Sequence, residues 1–124
     1  MKNVNFVMLT GILIASLTFL ALKPQERQEE FMQMTTIESV VPAGLGRSRM
    51  IISDGKSTFE EVKMKNFFSA VGINFGNVYA NDEQIAAKLT ELESQGWNLE
   101  NVSTGVYGAD KSTGIFVTRY LFKK

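Results

Sequence analysis

From Val4 to Leu22 the chain runs VNFVMLTGILIASLTFLAL without a charge, and no other feature constrains it as much. About twenty apolar residues cross the hydrocarbon core of a bilayer. Each central Leu, Ile, Phe or Val favours insertion by roughly 0.3 to 0.6 kcal/mol, in sum enough to outweigh Asn5, Thr10, Ser16 and Thr18. The competing reading is a core helix buried inside the fold. Hydrophobicity on every side, Lys2 in front and Lys23-Pro24 behind favour the membrane. An N-terminal hydrophobic helix over residues 1–22 is therefore expected, as a transmembrane anchor or uncleaved signal segment. Ala21-Leu22-Lys23 is a poor match to the small-residue pattern that signal peptidases cut, which disfavours the alternative of a secreted or periplasmic product. The expected location is the cell membrane, single-pass, with the remainder of the chain extracytoplasmic. The charge signal for that orientation is diluted, because Lys23 and Arg27 oppose Lys2.

Residues 23–30, KPQERQEE, are polar and opened by a proline, as suits a stalk. Residues 31–124 are then left for one domain of ordinary composition. Thirteen basic residues balance thirteen acidic ones, so there is no overall positive field to hold a nucleic-acid backbone. Cysteine and histidine are both absent. Disulfides, thiolate nucleophiles, the common zinc sites and His-dependent catalytic triads are excluded with them. No cofactor and no metal are implied.

Within the domain, Met32 to Val41 alternates, with Met32, Met34, Thr36 and Glu38 on one side and Thr35, Ile37, Ser39 and Val41 on the other, which predicts a strand. Pro42 to Gly46 interrupts it, Arg49 to Ser53 resumes as a short apolar strand, and Ser53-Asp54-Gly55-Lys56 signals a hairpin turn. Thr58 to Phe67 reads as a half-buried strand, a helix being the alternative, and Ala70 to Ala80 as a structured Gly/Asn loop. Asp82 to Gln95 is expected to be helical, with Asn81 as N-cap, Gln84 in the capping-box position, and Ile85, Leu89 and Leu92 as an apolar stripe broadened by Ala86. Gly96 suits a left-handed C-terminal cap. Beyond it, Trp97 and Leu99 fall on one parity and Val102, Thr104 and Val106 on the other, which a bulge near Asn101 would reconcile. A turn over residues 108–114 leads to a last strand, Ile115 to Phe122. The order predicts an α+β fold: a small antiparallel sheet of about four to five strands with one packed helix, preceded by the N-terminal hydrophobic helix.

Gly96-Trp97-Asn98-Leu99-Glu100-Asn101-Val102, together with Phe122-Lys123-Lys124, resembles a small bacterial family of unknown function. Its members carry a helix, then G-W-E-L-x-x-V, then a last strand ending F-K-R. The resemblance covers roughly the last forty residues, with Asn98 at the acidic position and Lys124 at the arginine. It implies a compact sheet-plus-helix fold and brings no activity with it. Trp97 itself is expected to pack back on the sheet after the helix cap.

Among candidate sites, Gly44-Leu45-Gly46-Arg47-Ser48-Arg49 offers backbone N–H groups, a hydroxyl and two guanidinium groups, a set able to hold a phosphate or carboxylate through Arg47, Ser48 and Arg49. It also reads as a plain connection, since it matches neither a phosphate-binding loop nor a nucleophile elbow. Glu60 with Glu61 and Asp82 with Glu83 are poorly placed for paired-acid catalysis, because neighbours in a strand point to opposite faces and acids at a helix start serve the dipole. No catalytic residue is assigned. Phe67, Phe68, Phe75 and Tyr79 read as core. The function expected is a membrane-tethered, exported, non-enzymatic interaction module that touches the membrane through Val4 to Leu22 and binds a protein or envelope component through loops or a sheet edge, with a small anionic-ligand-binding or sensor domain as the alternative.

Overall fold

The computed structural model describes residues 28–42, 47–69, 72–108 and 113–124. The elements run β1 (Phe31–Val40), β2 (Arg49–Ser53), β3 (Phe59–Lys63), β4 (Phe68–Ser69), β5 (Gly72–Ile73), α1 (Phe75–Ser94), β6 (Asn98–Gly108) and β7 (Gly114–Lys123). Five strands form one sheet in the order β3-β2-β1-β7-β6, and β4 with β5 forms a separate two-stranded ladder. Every pairing is antiparallel. The α+β architecture with one helix packed on a five-stranded antiparallel sheet agrees with the sequence pattern.

Register explains the burial. Met34 pairs with Ile52 and Tyr120, and Thr36 with Met50 and Thr118, so these side chains share one face. On that face Met34, Met50, Ile52 and Phe122 join Met64, Leu92 and Trp97 in the core, with Ile85 and Leu89 of α1 packed against them. Burying each large apolar side chain stabilises the fold by about 1.5 to 3 kcal/mol. The opposite face carries Gln33, Thr35, Arg49, Glu61 and Lys63 and is covered by no helix among the described residues. The end of the stalk is already drawn into the fold: Glu30 and Lys124 exchange backbone hydrogen bonds of 3.3 and 3.0 Å, and Glu29 pairs with Lys123 at 2.6 Å.

The helix differs most from expectation. It begins at Phe75, capped by Asn74, whose side chain accepts from the Asn77 N–H. Asn81, expected as the cap, lies inside the helix and is completely buried. Its Oδ1 accepts from the Lys65 N–H at 2.8 Å, and its Nδ2 donates to the Lys65 carbonyl at 2.8 Å and to Glu38 Oε1 at 3.3 Å. Asn77 donates likewise to the Asn66 carbonyl at 2.8 Å, and Asn66 to the carbonyls of Val41 and Phe68, both at 2.9 Å. The chain after β3 has left the sheet, and these amides satisfy backbone groups that would otherwise be buried without partners. Within the supposed Gly/Asn loop over Ala70 to Ala80, residues 72–80 are thus β5, the cap Asn74 and the first turns of α1, and residues 70 and 71 lie outside the described residues. Phe75 and Tyr79 are exposed rather than in the core, while Phe67 packs its ring 6.1 Å from that of Phe116.

The C-terminal end of α1 matches the pattern. Gly96, at φ +88°, donates to the Glu93 carbonyl at 2.9 Å and Trp97 to that of Leu92 at 3.1 Å, a Schellman motif whose flanking pair, Leu92 and Trp97, is in the core. The bulge also exists. Leu99 pairs with Phe122 and Asn101 with Leu121, so Glu100 is the extra residue, and Leu99, Val102, Thr104 and Val106 come onto one face.

The transmembrane helix and signal anchor require correction. Among the described residues no helix is long and apolar enough to cross a membrane. The helix that is present, α1, carries Asp82, Glu83, Lys88, Glu91 and Glu93, charges that need water or ionic partners. The segment Val4 to Leu22 and the expectations of tethering and orientation attached to it lie outside the described residues.

Candidate functional site

The two edges of the sheet are unlike. At one edge β3 is five residues long and carries Glu60, Glu61 and Lys63. Glu60 turns to the helix side, where it meets Lys88 Nζ at 3.0 Å, and Glu61 to the other side, where it meets Arg49 Nη1 at 3.1 Å. Opposite facing of these two carboxylates disposes of them as a catalytic pair. A short, charged edge resists pairing with further strands.

At the other edge β6 is eleven residues long and exposed along its whole length. Its inner side pairs with β7 from Asn98 opposite Lys123 to Gly108 opposite Gly114, while its outer side meets nothing among the described residues. From Asn101 to Gly108, NVSTGVYG, there is neither charge nor proline. Val102 is 48% exposed, Val106 66% and Tyr107 66%. Val102 and Val106 are on the helix side of the sheet, yet α1 ties itself to β1 through Asn81 and Glu38 and to β3 through Lys88 and Glu60, leaving this half uncovered.

Two concavities flank the strand. Between the end of α1 and the start of β6, a cleft of about 400 Å³ is lined by Leu89, Glu93, Trp97, Asn98, Leu99 and Phe122. On the other face a depression of about 440 Å³ opens over Gly105, with Val117 and Arg119 beside it and Ser103 and Tyr107 on either side. A Cβ at Gly105 would meet nothing within 4 Å, so the strand has no side chain standing over its middle on that face. Trp97 is buried, as expected of an aromatic after a helix cap, with Lys124 Nζ 5.7 Å from its ring centre and hydrogen-bonded to the Gln95 carbonyl.

The residues singled out for anion binding have separate surroundings. Ser48 is buried, and its Oγ accepts from the Ser39 N–H at 2.8 Å, fastening the start of β2 to the end of β1. Arg49 is engaged with Glu61, and Arg47 stands exposed. Gly44 to Gly46 lie outside the described residues. Titration is shifted elsewhere. Burial beneath α1 pushes the Glu38 carboxyl up, the Asn81 hydrogen bond partly offsetting it, and burial likewise raises Tyr120. The Asp54 carboxyl is held down by the Lys56 N–H in the β2–β3 turn, at 2.9 Å. Among the described residues no three acidic side chains gather as a metal site would need.

Sequence reasoning placed a strand over β6 but not at the edge, because strand order depends on β1 pairing with β7 across most of the chain. The one signal available was the uncharged run itself. Comparison with protein-family models, with curated proteins and with solved structures finds no match to this chain.

Proposed function

We propose that this domain is a non-enzymatic interaction module that binds an extended segment of a protein along β6. The single observation behind the reading is an eleven-residue edge strand, exposed throughout and uncharged from Asn101 to Gly108, on a sheet whose other edge is short and charged. Strand addition derives affinity from main-chain hydrogen bonds on the open edge and specificity from alternate side chains. Here Val102, Thr104 and Val106 would meet the added strand on one face, and Ser103, Gly105 and Tyr107 on the other. The distribution of acids supports a binding role: Glu60, Glu61 and Glu38 are engaged with Lys88, Arg49 and Asn81. A photo-crosslinking residue replacing Tyr107 in the full chain, compared in cells with one replacing the exposed Glu83 on α1, tests the proposal. Discrete adducts at position 107 only are expected. Equal adducts at both positions, or none at 107, would refute it.

A further inference from the structure

We propose that the strand added to β6 is β6 of a second copy of this chain, joined antiparallel across a two-fold axis at Thr104. The inference rests on the edge-strand reading and deepens it by naming the partner. Its ground is a self-complementary pattern. Around Thr104 the strand reads Val102-Ser103-Thr104-Gly105-Val106, symmetric in character: apolar, small, Thr, small, apolar. Beyond the bulge at Glu100 the alternation is regular through Gly108, so residues equidistant from Thr104 share a face.

A two-fold axis normal to the sheet makes the paired strands antiparallel and keeps each face continuous, so it must pass through a residue position, and Thr104 is the position at which the pattern matches itself. Val102 then faces Val106 of the partner subunit, and Val106 its Val102, on the helix side. Ser103 faces Gly105 of the partner subunit on the other side, where the depression over Gly105 leaves room. Tyr107 lies across from Asn101 of the partner subunit. No charge stands opposite a like charge, since Glu100 is set outside the ladder by the bulge. Of the strand's exposed apolar groups, Leu99, Val102, Val106 and Tyr107, this pairing covers Val102 and Val106 and sets Tyr107 beside the added strand. Two five-stranded sheets become one, and the open edge of each disappears.

The absence of cysteine makes the test direct. Residues directly opposite in an antiparallel pair have Cα atoms about 4.5 to 5.5 Å apart, inside the range of roughly 4.4 to 6.8 Å that a disulfide bridges. Thr104→Cys in the full chain, mildly oxidised, should therefore give a covalent dimer. Val102→Cys should not, because its counterpart lies four residues along the strand, about 13 Å away at roughly 3.3 Å per residue. Both sites are exposed, so neither change threatens the fold. Association through the apolar run Val4 to Leu22 would not distinguish the two positions.

A second experiment reads the register. V102K/V106K sets lysine against lysine and should weaken dimerisation at least tenfold in sedimentation analysis, whereas V102K/V106E sets lysine against glutamate and should restore it. Cross-linking at 104 no greater than at 102, or equal dimerisation of the two double variants, overturns the proposal. The crosslinker at position 107 separates that failure from failure of the reading beneath it. Adducts with a different protein would leave the edge-strand function standing while removing the second copy, and no adduct at all would remove both.

Discussion

Replacing Asn81 with alanine should destabilise the domain by about 1.5 to 2.5 kcal/mol, although the site lies mid-helix, where alanine is intrinsically favoured. Two groups lose their partners, the Lys65 N–H and carbonyl, each now 2.8 Å from the buried amide. An unsatisfied buried backbone group costs about 1 to 3 kcal/mol. The side chain of Lys65 is exposed, so water reaches its surroundings and the lower part of that range applies to each group. Against the loss stands a helix-propensity gain of no more than about 0.7 kcal/mol. For a domain of this size each kcal/mol moves the melting temperature by roughly 4 to 8 °C, and urea unfolding of the full chain should show the midpoint falling at constant slope. Asn81→Asp adds a control with its own sign. The aspartate still accepts from the Lys65 N–H, but its second oxygen faces the Lys65 carbonyl and the Glu38 carboxylate, so burial and like charge raise its pKa in the folded state. A raised carboxyl means the native state holds the proton more tightly, and the variant recovers stability as pH falls. A loss below about 1 kcal/mol for N81A, or N81D insensitive to pH, would refute the reading of Asn81 as the clasp between α1 and the segment after β3.

Glu38 titrates from the same interface, and burial raises its folded pKa above the ordinary 4.5, so ionised Glu38 costs stability above the folded value and that cost vanishes below the unfolded one. Glu38→Gln should thus raise the melting temperature near about pH 7, with the advantage shrinking as pH falls toward about 4; parallel curves across that window would contradict the assignment. Gly96→Ala places a side chain at φ +88° in the Schellman turn, where the nearest atom, Lys124 Cε at 3.4 Å, is ordinary contact. The loss expected is therefore conformational, about 1 to 2 kcal/mol, read in urea unfolding, and an unchanged midpoint would mean that the turn does not hold its left-handed form.

Local pattern was legible wherever one force set it. The two faces of β1, the limits of β2, the left-handed Gly96 and the resetting bulge in β6 all follow from alternation or backbone sterics acting within a few residues. The start of α1 was hidden because its first turns use Asn74, Gly76, Asn77 and Asn81, residue types that favour turns and caps when only neighbours in sequence are considered. For Asn77 and Asn81 the reason is tertiary, since their side-chain amides serve the backbone of Asn66 and Lys65, while the Asn74 N–H donates to the Phe67 carbonyl. Phe75 and Tyr79 were misread with them, since a loop gives no means of telling which aromatics point outward. The roles of Ser48 and Arg49 were hidden for a similar reason, as their partners Ser39 and Glu61 come from neighbouring strands.

The bareness of β6 is harder to ascribe to folding than any of these. Every residue from Asn98 to Gly108 is exposed, so a lysine or glutamate at Val102, Val106 or Tyr107 would lose little burial and would protect the edge against unwanted pairing. On β3 such charges are present and engaged, Glu60 with Lys88 and Glu61 with Arg49. Stability of the single domain therefore gives no reason for valines and a tyrosine on an open edge, and half-exposed apolar groups there lower its solubility. A requirement from outside the domain does give one: an added strand needs continuous backbone access, which long charged side chains and proline obstruct, and it needs apolar contacts on alternate positions, which Val102 and Val106 supply. On that argument a lysine introduced alone at position 106, with no opposite charge to meet it, should leave the unfolding midpoint within about 0.5 kcal/mol of the parent, the usual range for exposed sites, while weakening strand addition. A V106K chain that loses substantially more stability than that would show that Val106 serves the fold, and the case for a binding edge would lose its premise.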